Sequence, residues 1–422
     1  MSNIVWPKKP LSILTSKIGD GIHGTPIYVE TGGFPFVNGN NLKQGAIVIT
    51  EDTKRVDQEE FEKYFIEFDE NTLFMSINGT LGSLAKYNGE EIILGKSAAY
   101  IKCKGINIDY LYYYLQLKEV KNQMWNIATG STIKNLSLAS IRELEVPVPS
   151  GDIQTKIAQV FSVIDAKIEL NNRINAELEA MAKTLYDYWF VQFDFPFDFA
   201  QGKPATNGKP YKSSGGKMAY NPILKREIPE EWETTTVGKI AKTALGGTPS
   251  TEVDDYWENA DIPWLSSAET ASFPVVGSEQ KITQKGLEDS AATLLPKGTV
   301  VISIVRYIRP SILGIDAATN QSVVGIKECS RLKSSFIYPY FCSEVPRLMG
   351  LRTGAQQPHI NKRVIDESPI VLPTDCVLEE YYKKLDPIYE QIMTLAFENY
   401  KLIELREWLL PMLMNGQVTI KQ

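Results

Sequence analysis

Histidine and cysteine are scarce in this chain. There are two histidines, His23 and His359, and four cysteines, Cys103, Cys329, Cys342 and Cys376. No pair of cysteines has CxxC spacing, so neither a disulfide framework nor a metal site is expected. Long apolar runs are missing as well. Nothing approaches about 18 consecutive apolar residues, and the start MSNIVWPKKPLSIL holds no apolar signal core. The expected location is the cytoplasm, without membrane association. Positive charge is also short. The net charge is −7 and no segment is strongly basic, which argues against a protein that coats nucleic acid regardless of sequence. Local basic loops remain compatible with specific binding.

Signatures of catalysis are absent too. No GxGxxG follows a strand, no Asn-Pro-Pro-aromatic motif serves methyl transfer, and no nucleophile–histidine–carboxylate set is visible. Gly95-Lys96-Ser97 ends like a phosphate-binding loop, but Gly89 leaves one residue too many between the glycines. It reads as a structural or DNA-facing turn. His23 reads as a plain loop residue. Glu59-Glu60-Phe61-Glu62 and Asp254-Asp255 read as solvated faces. The chain is expected to be non-catalytic and to hold no metal or cofactor of its own.

What is present is periodicity. Gly151 to Phe190 has no proline and no glycine after its first residue. Ile157, Ile164, Leu178 and Leu185 fall on a seven-residue repeat. Val160, Ile174, Met181 and Tyr188 lie three further on, and Phe161, Ile168, Ala182 and Trp189 four further on. This is a wide apolar stripe on one helix of nearly ~60 Å, with Asp152 as the expected N-cap. Helices in globular domains usually run roughly 8 to 20 residues, so it needs an equally long partner.

The partner lies 224 residues downstream. Ile164, Ile168, Leu178 and Leu185 recur as Ile388, Ile392, Leu402 and Leu409, and Asn175 recurs as Asn399. Thr129-Gly130 and Pro149 recur as Thr353-Gly354 and Pro373. Pro387 should kink the second helix or mark a fresh start. Pro411 falls in its last turns, and Asn415-Gly416 ends it.

The expected fold is mixed α/β (α+β). Two repeated globular domains are separated by two long antiparallel helices with pseudo-twofold symmetry. Residues 1–150 form the first domain, with short strands at Phe34–Val37, Ala46–Thr50, Thr72–Ile77, Ser83–Tyr87 and Ala98–Cys103. A helix capped by Asp109 is expected to run to Trp125. Residues 151–190 are the first long helix, 191–227 an extended linker tacked down by aromatics, 228–373 the second domain and 374–422 the second long helix.

Recognition is the remaining chemistry. Thr129, Ser131, Lys134 and Asn135 stand in a Gly-containing loop whose counterpart carries Thr353, Gln356, Gln357, Lys362 and Arg363. Asn and Gln read adenine edges, Lys and Arg read guanine or hold phosphates, and Ser and Thr do either. Arg306, Tyr307 and Arg309 are placed where the first domain has Asn78, Gly79 and Thr80. Lys96, Ser266 and Ser267 complete the DNA-binding candidates. Asn175 and Asn399 are expected to pair and set helix register, as buried polar residues do in coiled coils.

The run TGSTIKNLSLASIRELEVPVPS, Ile153-Gln154, Ile164-Asp165 and Tyr188-Trp189-Phe190 with its Phe-Asp-Phe-Pro tail closely resemble the specificity subunit of Type I restriction–modification enzymes. LGGTPST and IPWLSS in the second domain extend the resemblance over nearly the whole chain. It implies two target-recognition domains, each reading half of a split site in double-stranded DNA, with the helices setting the spacer. It also implies two modification subunits carrying S-adenosylmethionine and two restriction subunits using ATP and Mg2+. Two other readings compete: a duplicated protein-interaction scaffold without DNA readout, and a stand-alone DNA-modifying enzyme.

Overall fold

The computed structural model describes residues 6–131, 133–354 and 356–418; the loop positions Thr132 and Ala355 lie outside the described residues. Two compact units emerge, residues 6–167 with 402–418, and residues 168–401. Among the described residues, no helix is long and apolar enough to cross a membrane.

The first unit is built on four antiparallel strands. β1 (Thr15–Asp20), β2 (Thr72–Ser76), β3 (Leu84–Lys86) and β4 (Ala98–Cys103) stand in the order β1-β4-β2-β3. All of β2 is buried, so its Thr72 and Ser76 hydroxyls are bonded, to Asp69 and to the Asn78 carbonyl. The second unit repeats the arrangement. β5 (Thr243–Leu245), β6 (Val300–Ser303), β7 (Arg309–Ile312) and β8 (Val323–Ile326) stand in the order β5-β8-β6-β7. Each unit also has a short parallel strand pairing, Ile93–Leu94 with Phe34–Val37 and Ala318–Thr319 with Ile262–Leu265. The duplication seen in the sequence is therefore a duplication of topology.

The long helices are α1 (Gly151–Tyr186) and α2 (Asp375–Met414). α2 runs unbroken through Pro387, neither ending nor restarting there. Tyr381, Leu385, Tyr389 and Ile392 are buried on both sides of the proline, and their packing holds the helix. Gly416, in left-handed backbone at φ +69°, closes it. In the second unit the helices run antiparallel: Asn171 meets Asn399, and Asn175 meets the Ile392 carbonyl. In the first unit Asp165 pairs with Arg406 at 2.7 Å and accepts the Tyr113 hydroxyl at 2.8 Å.

The expected register pair is not Asn175–Asn399. Asn171, fully buried, donates to Asn399 at 2.8 Å and to Glu398 at 2.8 Å, while Asn399 donates to Asn172. Met181, assigned to the apolar stripe, is exposed, while Ala182, assigned to the same stripe, is buried as expected.

Capping differs from expectation as well. Asp152 sits in the first turn and pairs with Lys156 at 2.8 Å. The buried Gln154 secures that helix start. Its amide donates to the Pro149 carbonyl and its oxygen accepts from the Asn107 amide. Asn107, not Asp109, caps the helix Ile108–Tyr114, and a second helix Lys118–Ile127 follows where one was expected. The Ala46–Thr50 strand shrinks to Ala46–Ile47.

The linker is folded rather than extended. Pro196–Asp198 pairs with Lys203–Pro204 and Lys209–Pro210, and Met218–Asn221 forms a hairpin with Arg226–Pro229. Phe195 stacks on Tyr211 and Trp232 at 4.7 and 5.2 Å. That aromatic burial offsets the entropy of ordering a Gly- and Lys-rich segment.

Candidate nucleic-acid interface

In the first unit two loops meet. The chain leaving β2 passes through Asn78 and Gly79, and the Thr129–Asn135 loop closes on itself with Thr129 and Asn135 exchanging backbone bonds at 3.0 and 2.7 Å. Asn78 then bridges to Asn135. Gly130 is required: it sits at φ +99°, and a Cβ there would lie 2.2 Å from the Ile133 carbonyl oxygen. Asn78 and Asn135 line a cleft of about 260 Å³ with Asp20, His23, Lys96 and Ser137.

The second unit builds the same pair of loops. Thr353 and His359 exchange backbone bonds at 2.9 Å each, Val305 bridges to His359, and Gly354 again sits at φ +99°. The equivalence corrects the alignment by one residue. Val305 occupies the place of Asn78, Arg306 that of Gly79 and Tyr307 that of Thr80. Arg306 keeps the left-handed backbone of the glycine it replaces, φ +61° against +77°. Its N–H donates to the Pro358 carbonyl at 2.8 Å, and its own carbonyl accepts from the Arg352 guanidinium. Its neighbour Tyr307 is exposed, with the Arg309 guanidinium 5.2 Å from its ring centre.

Several expected contact residues are spent inside the protein. The Thr80 hydroxyl donates to the Gly39 carbonyl and contacts Ser76. Lys134 donates to the Ala128 carbonyl and lies over the exposed Trp125 ring. Ser266 bonds Glu269 through both its N–H and its hydroxyl, and the Ser267 carbonyl accepts from Thr270, drawing both serines into a local turn. Lys362 pairs with Asp366, which Thr243 also grips. Arg363 pairs with Glu367 at 2.6 Å on the short helix Lys362–Asp366 that Asn361 caps. Apart from Ser267, of which only the carbonyl is engaged, each of these offers less to a ligand than its type suggested, because an intramolecular partner was closer. Lys96, Ser131 and Asn135 in the first unit, and Arg306, Tyr307, Arg309, Thr353, Gln356 and Gln357 in the second, are exposed, whereas Asn78 is half-buried and the Thr129 hydroxyl donates to the Asn135 carbonyl at 3.4 Å.

Sequence reasoning passed over Asp20, His23, Thr248, Gln321 and Arg352. His23 contacts Asp20 at 2.9 Å, and Thr248 donates to Gln321 at 2.5 Å. Their place in the repeat was the available signal. Gly247-Thr248-Pro249 matches Gly24-Thr25-Pro26 by letter, which hid the structural match of Thr248 to His23.

Two copies of one α/β unit, each presenting a pair of polar loops beside its share of two long helices, define a duplicated recognition scaffold. The family described as "Type I restriction modification DNA specificity domain" matches residues 26–180 and again 229–405. The chain belongs to this family. It is 26% identical over 324 residues to the Type I restriction enzyme MjaIX specificity subunit of Methanocaldococcus jannaschii, covering 75% of this chain and 71% of that one. It is 23% identical over 364 residues to the HindI specificity subunit of Haemophilus influenzae, covering 74% and 77%. The crystal structure of the Type-I restriction-modification S subunit from M. genitalium shares the fold, with a TM-score of 0.56 at 15% identity over 100% of this chain and 98% of that one.

Proposed function

We propose that this chain is the DNA-reading specificity subunit of a Type I restriction–modification complex. The observation that carries the reading is the doubled family match on two units that keep one framework and differ in the side chains on their paired loops. A protein reading two different half-sites needs that combination: constant backbone for placement, variable side chains for base edges. Residues 1–150 and 228–373 are the two recognition domains in this reading. Each addresses one half of a split site, and the helices set the spacer.

The chain contributes recognition and not catalysis. Two modification subunits would supply S-adenosylmethionine chemistry, and two restriction subunits ATP- and Mg2+-dependent chemistry. Ile403, Leu405 and Trp408 leave large apolar surface exposed on the end of α2, which favours docking of other subunits there. The test is co-expression with the modification subunit followed by mapping of methylated adenine in the host DNA. A new split motif that depends on this chain is the expected result. Co-purifying subunits without any motif would favour the interaction-scaffold reading instead.

A further inference from the structure

A second pair of loops lies beside the first in each unit, and its geometry is repeated more closely than its chemistry. In the first unit, Gly21 and Ile22 follow β1 and are pinned by N–H bonds to the Ala98 and Leu94 carbonyls, at 3.3 and 2.8 Å. In the second unit, Gly246 and Gly247 follow β5 and are pinned to the Val323 and Thr319 carbonyls, at 3.0 and 2.8 Å. The sequence separation between matching residues is 225 at all four positions. Only glycine fits at the first of them. A Cβ on Gly21 would lie 2.0 Å from the Leu94 oxygen, and one on Gly246 would lie 2.2 Å from the Asn320 oxygen.

These rigid turns deliver the next residue, His23 or Thr248, to the surface. The same separation places Gln321 at the position of Lys96. The loop carrying Lys96 is tied to the glycine turn by the bond from the Lys96 N–H to the Ile22 carbonyl, at 3.1 Å. Lys96 is exposed and its ammonium has no partner among the described residues. Gln321 is exposed too, and the Thr248 hydroxyl donates to its amide oxygen at 2.5 Å, which fixes the direction the amide faces.

The two copies therefore share the pair of hydrogen bonds that pins the glycine turn and exchange a cation for an oriented amide. A contact to phosphate serves any sequence equally and gives no reason for that exchange; a contact to a base edge does. We propose, resting on the reading of this chain as a sequence-specific DNA binder, that positions 23 and 96 in the first unit and 248 and 321 in the second are a further base-reading element. Lys96 donates to the O6 and N7 acceptors of a guanine, with the Asp20-held His23 beside it. Gln321, oriented by Thr248, takes the N6 donor and N7 acceptor of an adenine.

The experiment uses the full chain assembled with its modification subunits. Binding is measured at fixed salt to duplexes in which each base pair of the mapped site is changed in turn. Lys96→Ala should lower discrimination by roughly tenfold or more at one base pair of one half-site and leave the other half-site unchanged. Gln321→Ala should do the same in the other half-site. Lys96→Gln, close in length and uncharged, should move the preferred base of its half-site from guanine toward adenine. Both side chains are exposed, so the melting midpoint should not move in any of the three variants. The proposal is overturned by unchanged discrimination in Lys96→Ala and Gln321→Ala. It is equally overturned if Lys96→Ala weakens every duplex alike with a shallower salt dependence, the mark of a phosphate contact. A wild-type complex with no sequence preference would instead remove the proposed function and this element with it.

Discussion

Replacing Arg306 by glycine separates backbone strain from recognition. An L-residue in left-handed backbone costs about 1–2 kcal/mol, because its Cβ crowds the following carbonyl. Arg306 is held there at φ +61° by its N–H bond to Pro358 and by the Arg352 guanidinium on its carbonyl. Glycine relieves that cost but adds about 0.5–1 kcal/mol through the freedom it gains in the unfolded chain. The balance is a gain of about 0.5–1 kcal/mol, or about 1–4 °C in melting midpoint for a unit of this size. Arg306→Ala keeps the strain and should not gain. Both variants remove the same exposed guanidinium, so both should weaken binding to one half-site by a similar factor. The assay is paired melting of the chain and duplex binding by the assembled complex. If the glycine variant melts about 3 °C or more below the alanine variant, the backbone at 306 is not strained as argued. If it melts higher and still binds DNA as wild type, the strained arginine has no part in recognition.

Other outcomes can be checked alongside. Asn399→Leu alone removes one of the two acceptors of the buried Asn171 amide, leaving Glu398, and should cost about 1 kcal/mol, whereas Asn171→Leu with Asn399→Leu should recover most of it; equal losses in the single and double variants would deny the pair any role in register. Burial pushes the Cys103 and Cys342 thiols up to about 12 from 9.0. Their folded pKa exceeds the unfolded one, so the stability they contribute is complete below pH 9 and fades as pH climbs toward 12. At pH 8 a thiol reagent should label the exposed Cys376 and leave Cys103 and Cys342 unmodified, which mass spectrometry of the digested protein reads directly.

Properties set by neighbouring residues were legible in the sequence. The seven-residue apolar period and the lack of internal glycine dictate α1, because a helix needs only its own backbone and one apolar face. The constant offset from Thr129 to Pro373 exposed the duplication, and Gly130 and Gly354 marked the tight loops that only glycine can make. What tertiary structure decided was which polar groups meet. Asn399 finds Asn171 rather than Asn175, since the antiparallel register is a sum over two whole helix faces and not a match of aligned letters. Thr80, Lys134, Lys362 and Arg363 turned to partners within the protein. Lys96 stayed free of partners among the described residues, although it has the same local chemistry as the other lysines. Gln321 entered the candidate site through a loop 73 residues away from its partner Thr248, and Lys96 through a loop whose backbone bonds back to Ile22. Hydrogen bonds reach about 3 Å, so segments far apart in the chain must first be folded together before their pairing exists at all.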